Sequence, residues 1–328
     1  MLKLKYLFEN YDLARVALNN WNYDESETDN MLKKFRISSN AIYPFCQQES
    51  VCFLRLAPSD EKLEQNILGE MEFITYLVEK GFPSLRPLKT KSGELFLRIP
   101  TQWGEYFATA FKAVKGTQIE KTDYSNTIMF EYGKALGRLH ALSSDFVPKI
   151  RKWSHIDVLL WIQTALQEYN AKNYVFTELA AVTTELEKLP ICNNNYGLVH
   201  YDFEPDNVFY DSDANLCAVI DFDDSMYHWY ALDIAQVFDS LSSELNGEVL
   251  DAAKAEFIKG YHIERNYDNE IKNALPLMQR FINLYTYARL IRCVEEKFDN
   301  EPDWLITLRK KLANIIKAKE LEIIKIQE

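Results

Sequence analysis

Residues 197–224, GLVHYDFEPDNVFYDSDANLCAVIDFDD, decide how this chain reads. Two short apolar runs, VFY at 208–210 and CAVI at 217–220, flank the turn-forming Asp-Ser-Asp-Ala-Asn at 211–215, a strand–turn–strand pattern. The hairpin carries His200-x-Asp202-x(4)-Asn207 and, after the second strand, Asp221. Phosphoryl transfer accounts for each member. That reaction asks the protein to place a hydroxyl in line with a γ-phosphate and to neutralise charge with metal. Asp202 is positioned to accept the hydroxyl proton. Asn207 and Asp221 offer an amide oxygen and a carboxylate from facing strands, hard ligands that suit Mg²⁺ while leaving room for water and phosphate oxygens. His200 is expected to hold the loop. Any one of these residues alone would pass for a turn or surface residue; order, spacing and the intervening hairpin together point to chemistry.

Working outward, the hairpin interrupts a helical half. Periodic apolar patterns run through 129–142, 155–169, 231–241, 278–298 and 308–326. The preceding part is sheet-rich. A helix-like stretch at 11–21 leads into a polar break, NYDESETDN at 22–30, and then 32–37, 38–45 and 50–57 alternate apolar and polar residues as strands do. Residues 64–83 predict a helix with Ile67, Met71, Ile74 and Leu77 on one face, stopping at Gly81 with Pro83 beyond. Strand patterns return at 87–99, where Ser92-Gly93 suits a hairpin turn, and at 105–114. The expected organisation is α+β: a sheet lobe over 1–115 with an N-terminal helix, and a larger, mainly helical lobe over 116–328.

At HYDFEPDN and VIDFDD the chain resembles the aminoglycoside phosphotransferase and choline kinase-like family, a branch of the protein-kinase-like fold. ALGRLHAL at 135–142 and LDIA at 232–235 look like that family's helix before the catalytic loop and its segment after the metal site, and the likeness covers about 35–295. The resemblance implies a bilobal kinase with ATP, or GTP, and Mg²⁺ between the lobes, and a hinge near Phe111 and Val114. It also implies Arg55 in CFLRLA as the strand cation, paired with Glu70 of the following helix or, failing that, Glu72. A guanidinium grips carboxylate or phosphate in ways an ammonium does not. The phosphate-covering loop would be ISSNAIYPF, with Ser38, Ser39 and Asn40 as donors. It lacks the glycines of G-x-G-x-x-G, which argues against a eukaryotic-type protein kinase.

The formal charge of −12 is concentrated. Residues 189–253 hold thirteen Asp and Glu and no Lys or Arg. Glu204, Asp206, Asp223 and Asp224 exceed what one Mg²⁺ needs, and Asp233 follows shortly after. Carboxylates beside aromatic faces such as Trp229 attract cations, so an amine-bearing acceptor is expected: aminoglycoside-, choline- or homoserine-like. The bland reading has Asp223 and Asp224 supporting the metal or capping, and Trp229 in the core. FKAVKGTQIE at 111–120 also looks like bacterial stress-response kinases of this fold that phosphorylate protein Ser or Thr. The glycine-free loop and Arg55 keep a catalytically silent nucleotide binder in view. A dinuclear metallohydrolase fits poorly, because H-x-D-x(4)-N is short of histidine.

The acidic balance opposes nucleic-acid and anionic-membrane partners. The start, MLKLKYLFENYDLARV, reaches Glu9 and Asp12 before any signal-length apolar run, no later run approaches 18 apolar residues, and the five cysteines have no C-x-x-C spacing. A cytoplasmic enzyme with reduced thiols is expected. Acceptor, ATP against GTP, and oligomeric state stay open at this point.

Overall fold

A computed structural model describes residues 2–327. The chain opens with α1 (Tyr11–Leu18) and α2 (Glu25–Leu32), followed by β1 (Arg36–Ile37), β2 (Ala41–Gln47), β3 (Ser50–Pro58) and α3 (Glu64–Glu79). Three further strands, β4 (Arg86–Pro87), β5 (Leu97–Thr101) and β6 (Gly104–Lys112), complete one antiparallel sheet of order β1-β2-β3-β6-β4, with β5 also on β6. Period-two alternation sorts its faces. Tyr43, Phe45, Leu54, Leu56, Ala108 and Ala110 form one core with Leu13, Ala17, Leu18 and Trp21 of the α1 region. Arg55 and its cross-strand partner Thr109 therefore point the other way, toward α3.

The rest is mainly helical. After β7 (Thr117–Gln118) come α4 (Asn126–Asp145), α5 (His155–Glu168) and α6 (Asn173–Leu186). The strands β8 (Tyr196–Val199), β9 (Val208–Asp211), β10 (Leu216–Val219) and β11 (Met226–Trp229) follow, then α7 (Ala231–Glu244), α8 (Gly247–Glu264), α9 (Asn269–Val294) and α10 (Asp303–Gln327). The predicted hairpin is β9–β10, with Val208 opposite Val219, and β7 adds to its edge. A second antiparallel pair, β8–β11, brackets it. The large core draws on α3 through α9, and Ile67, Met71, Ile74 and Leu77 of α3 are all buried as their spacing predicts. This is the bilobal α+β architecture expected. No helix among the described residues is long and apolar enough to cross a membrane.

Two local expectations fail. The polar break at 22–30 contains α2, because Thr28 and Leu32, one turn apart, are both buried although the stretch is otherwise charged. Ser92-Gly93 does turn the chain, with Gly93 at φ 94°, but the strands on either side do not pair with each other. Both pair with β6, whose backbone offers a longer partner.

Candidate active site

The catalytic-loop residues lie between β8 and β9, and Asp221 follows β10. Because Val208 faces Val219 and Ile220 N–H donates to the Asn207 carbonyl (3.0 Å), the hairpin brings Asn207 beside Asp221. Asn207 Nδ2 donates to the Asp202 carbonyl (3.0 Å) and to Asp202 Oδ2 (2.8 Å). That commits the nitrogen and leaves Asn207 Oδ1 without a donor among the described residues. The Asp221 carboxylate likewise has no hydrogen-bond donor among them. Its pKa is raised to about 6 by burial and by Asp223, against the pull of Arg55. A desolvated carboxylate and a free amide oxygen side by side fit a hard divalent cation, whose remaining ligands would come from water and phosphate. No cluster of three His, Cys, Asp or Glu suited to metal occurs among the described residues.

Asp202 is held well above the ordinary carboxylate range by burial and by Glu204, Asp221 and Asp224, with Arg289 offsetting part of the rise. A carboxylate so placed is a stronger proton acceptor than one in water. His200 bonds on both sides of the loop. Its Nε2 donates to the Ile220 carbonyl (2.9 Å) and its Nδ1 accepts from the Asp202 N–H (3.2 Å), which fixes the tautomer and ties the catalytic loop to the strand before Asp221. Burial lowers its pKa to about 4, so the ring is neutral. Asp233 anchors the same loop from α7. It accepts from His200 N–H (2.8 Å) and Tyr201 N–H (2.7 Å), and His140 Nε2 lies 2.9 Å from the same carboxylate. These bonds hold Tyr201 at φ 65°, a conformation a bulky side chain rarely adopts.

On the sheet side, Arg55 closes its fork on Glu70, Nη1 to Oε1 at 2.7 Å and Nη2 to Oε2 at 2.6 Å, while Nε donates to Thr109 (3.1 Å). Phe111 lies against the guanidinium at 5.1 Å. The pair is buried; burial opposes the Arg55 charge, but Glu70, Asp223 and Asp221 outweigh it and raise the pKa. Glu72 plays no part, accepting instead from the Lys149 and Ile150 N–H groups. Of the loop residues, Ser38 is exposed, Ser39 half-buried and Asn40 buried, with Asn40 Nδ2 donating to Asp223 Oδ2 (3.0 Å). Val114 is half-buried against the large core.

Folding supplies cations to part of the expected surplus of negative charge. Lys62 forms an ion pair with Asp223, and Arg289 pairs with Asp224 at 2.7 Å. Burial works to raise both acids, yet Lys62 and Arg55 hold Asp223, and Arg289 and Lys62 hold Asp224, below their usual values. Buried Lys152 donates to the Phe222 (3.1 Å) and Asp223 (2.9 Å) carbonyls, fastening the turn from behind. Asp206 pairs with Arg36 at 3.6 Å. Glu204 has no ion-pair partner among the described residues, and burial with Asp206 and Asp239 raises it to about 7. Trp229 is a core residue, tilted against His155 and edge-to-face with Tyr196 and His228, with Nε1 donating to the Pro190 carbonyl (2.9 Å). Sequence reading missed Lys62, Lys152 and Arg289: each lies far from the acidic stretch along the chain and carries no motif.

A cavity of about 130 Å³ opens beside Asp223 and Asp224, walled by Lys62, Trp153, Trp161, Tyr285, Arg289 and Arg292. Arg292 pairs with Glu61 at 2.7 Å, so the wall carries three ion pairs of balanced charge.

Among curated proteins, the chain is similar to amicoumacin kinase of Bacillus subtilis (strain 168), 22% identical over 267 residues that cover 77% of each chain. It is also similar to homoserine kinase of Caulobacter vibrioides (strain NA1000 / CB15N), 27% identical over 215 residues, 64% of this chain and 65% of the relative. Among solved structures, an amicoumacin kinase in complex with AMP-PNP, Ca²⁺ and Ami superposes with a TM-score of 0.77 at 19% identity, covering 96% of this chain and 95% of that one. A microcompartment-associated aminopropanol kinase gives 0.68 at 18% identity over 95% and 94%. These likenesses carry the fold, and the model of the phosphotransferase enzyme family matches residues 45–267, a span that includes Arg55, Glu70, Asp202, Asn207, Asp221 and Asp233. The chain belongs to the phosphotransferase enzyme family.

Proposed function

We propose that the chain is a Mg²⁺-dependent kinase that moves the γ-phosphate of a nucleoside triphosphate, ATP or GTP, to a hydroxyl of a small molecule. The observation that carries this reading is the convergence of Asp202, Asn207 and Asp221 on one hairpin, the last two presenting oxygens with no donor among the described residues. Similar structures that hold AMP-PNP with Ca²⁺, or ADP with spectinomycin, support nucleotide and metal in this fold. In this reading residues 1–115 form the nucleotide-binding lobe, with Ser38, Ser39 and Asn40 over the phosphates and Phe111 and Val114 at the hinge, and residues 116–328 carry catalysis and the acceptor.

Asp202 takes the proton of the acceptor hydroxyl as its oxygen bonds to the γ-phosphorus, and the electrons of the breaking bond leave on the nucleoside diphosphate. A bound divalent ion would supply charge neutralisation at the phosphates from its place on Asn207 and Asp221. The acceptor sits in the cavity beside Asp224. Its walls favour a small polar alcohol. A polycation would need unpaired carboxylates, whereas Asp223, Asp224 and Glu61 are already paired.

The test is incubation with Mg²⁺, ATP or GTP, and pooled amino alcohols, homoserine and aminoglycosides, read by mass for a gain of one phosphoryl group. Asp202→Ala should lower the rate by roughly 10²- to 10⁴-fold. The nucleotide-induced rise in melting temperature should persist in that variant. Wild-type protein that phosphorylates nothing and gains no stability from Mg²⁺-nucleotide overturns the reading.

A further inference from the structure

The geometry leaves open which cation meets the phosphoryl group that is transferred. Arg55 is poorly placed for it: the fork is closed on Glu70, Nε is on Thr109, and one face is against Phe111. The space enclosed by Asn40, Arg55, Thr109 and Asp223 amounts to a cavity of only about 10 Å³. Phosphates cannot enter until that ring opens.

We infer that Lys62 is the cation that receives the γ-phosphate, releasing Asp223 as it does so, an inference that rests on the nucleotide reading above. Lys62 stands on the loop before α3, and its ammonium shares Asp223 Oδ2 with Asn40 of the phosphate-covering loop. Asp223 lines both the small cavity at Arg55 and the larger cavity assigned to the acceptor, and Lys62 lines the larger one. The ammonium therefore stands at the wall between donor and acceptor, where a group in transit carries most of its charge on three oxygens. Asp223 and Asp224 keep Lys62 protonated against the effect of burial. An entering triphosphate offers the same ammonium a more highly charged partner than Asp223, and lifting Asn40 from the shared oxygen opens the loop. During transfer the acceptor oxygen bonds to phosphorus, the bridging oxygen leaves with its electron pair on the diphosphate, and the proton goes to Asp202. Lys62 forms no covalent bond; it neutralises the equatorial oxygens throughout.

The experiment is calorimetric titration of the full chain, in Mg²⁺, with ADP and with AMP-PNP, or with their guanosine counterparts if the wild type prefers them. Lys62→Met should weaken binding of the triphosphate analogue by about tenfold or more, the scale of a lost charge-assisted hydrogen bond, and leave the diphosphate unchanged. Lys62→Arg should restore most of the difference. Because Lys62→Met leaves Asp223 unpaired, the double variant Lys62→Met/Asp223→Asn provides a second route and should show the same selective loss. Equal weakening of both nucleotides would mean that Lys62 only pins Asp223, and no weakening would remove it from the site; either overturns the inference alone. Wild-type protein that binds neither nucleotide overturns the kinase reading and this inference with it.

Discussion

Asp233 shows how much one buried carboxylate can organise. Its two oxygens take the N–H groups of His200 and Tyr201, and His140 approaches from α4, so the backbone leading into Asp202 is fixed by a fully buried residue of α7. Asp233→Ala would strand two buried N–H donors and a histidine nitrogen. At roughly 1–3 kcal/mol for each unsatisfied group, a loss of about 3 kcal/mol or more is expected in denaturant unfolding, with Asp233→Asn losing less. At this scale the motif residues were legible because order and spacing are local properties. The family resemblance implied Glu70, or failing that Glu72, as the partner of Arg55, and the α3 orientation selects Glu70, Glu72 facing the 149–150 backbone instead.

Among elements, α4 and α8 lie close together, and their approach depends on glycine. A Cβ on Gly133 would lie 1.8 Å from the Phe257 carbonyl oxygen, and one on Gly260 the same distance from that of Phe130. Neither carbonyl belongs to a side chain that can swing away. Gly133→Ala should therefore destabilise by about 3 kcal/mol despite the better helix propensity of alanine, and the thermal midpoint checks it. An unchanged midpoint would mean that the helices can separate at little cost. Periodicity predicted α3 and the β9–β10 hairpin. It missed α2, whose burial rests on two residues, and the β8–β11 pair, whose strands are four residues each and come together across the whole hairpin.

Over the whole molecule, titration sets the response to acid. Burial lowers the pKa of His140, His155, His200 and His228, to about 4 for His155 and His200. Unfolded histidine takes up its proton near pH 6.5, so these groups contribute stability that is present above that pH and is lost as pH falls toward 4. Asp202, Glu204 and Asp221 run the other way: their raised folded pKa values, about 7 for Glu204 and 6 for Asp221, make the fold gain stability as pH falls through those values toward the ordinary carboxylate range near 4. With four histidines against three carboxylates, metal-free protein should be most stable at about pH 6.5 and lose stability toward pH 4.5. Melting temperatures across that range decide it; a continued rise below pH 6 would show that the histidines are not buried in neutral form.

The sequence by itself determined the fold class, the strand–turn–strand frame and the order Asp202, Asn207, Asp221, because periodicity and motif spacing are written in contiguous residues. It also displayed thirteen carboxylates over 189–253 with no cation among them, which reads as a site that attracts a cationic acceptor. Only the tertiary structure decided otherwise, bringing Lys62, Lys152 and Arg289 to that turn from positions distant along the chain. Burying charge without a partner is costly, so the fold meets Asp223 and Asp224 with Lys62 and Arg289, cations whose sequence neighbours give no sign of the pairing.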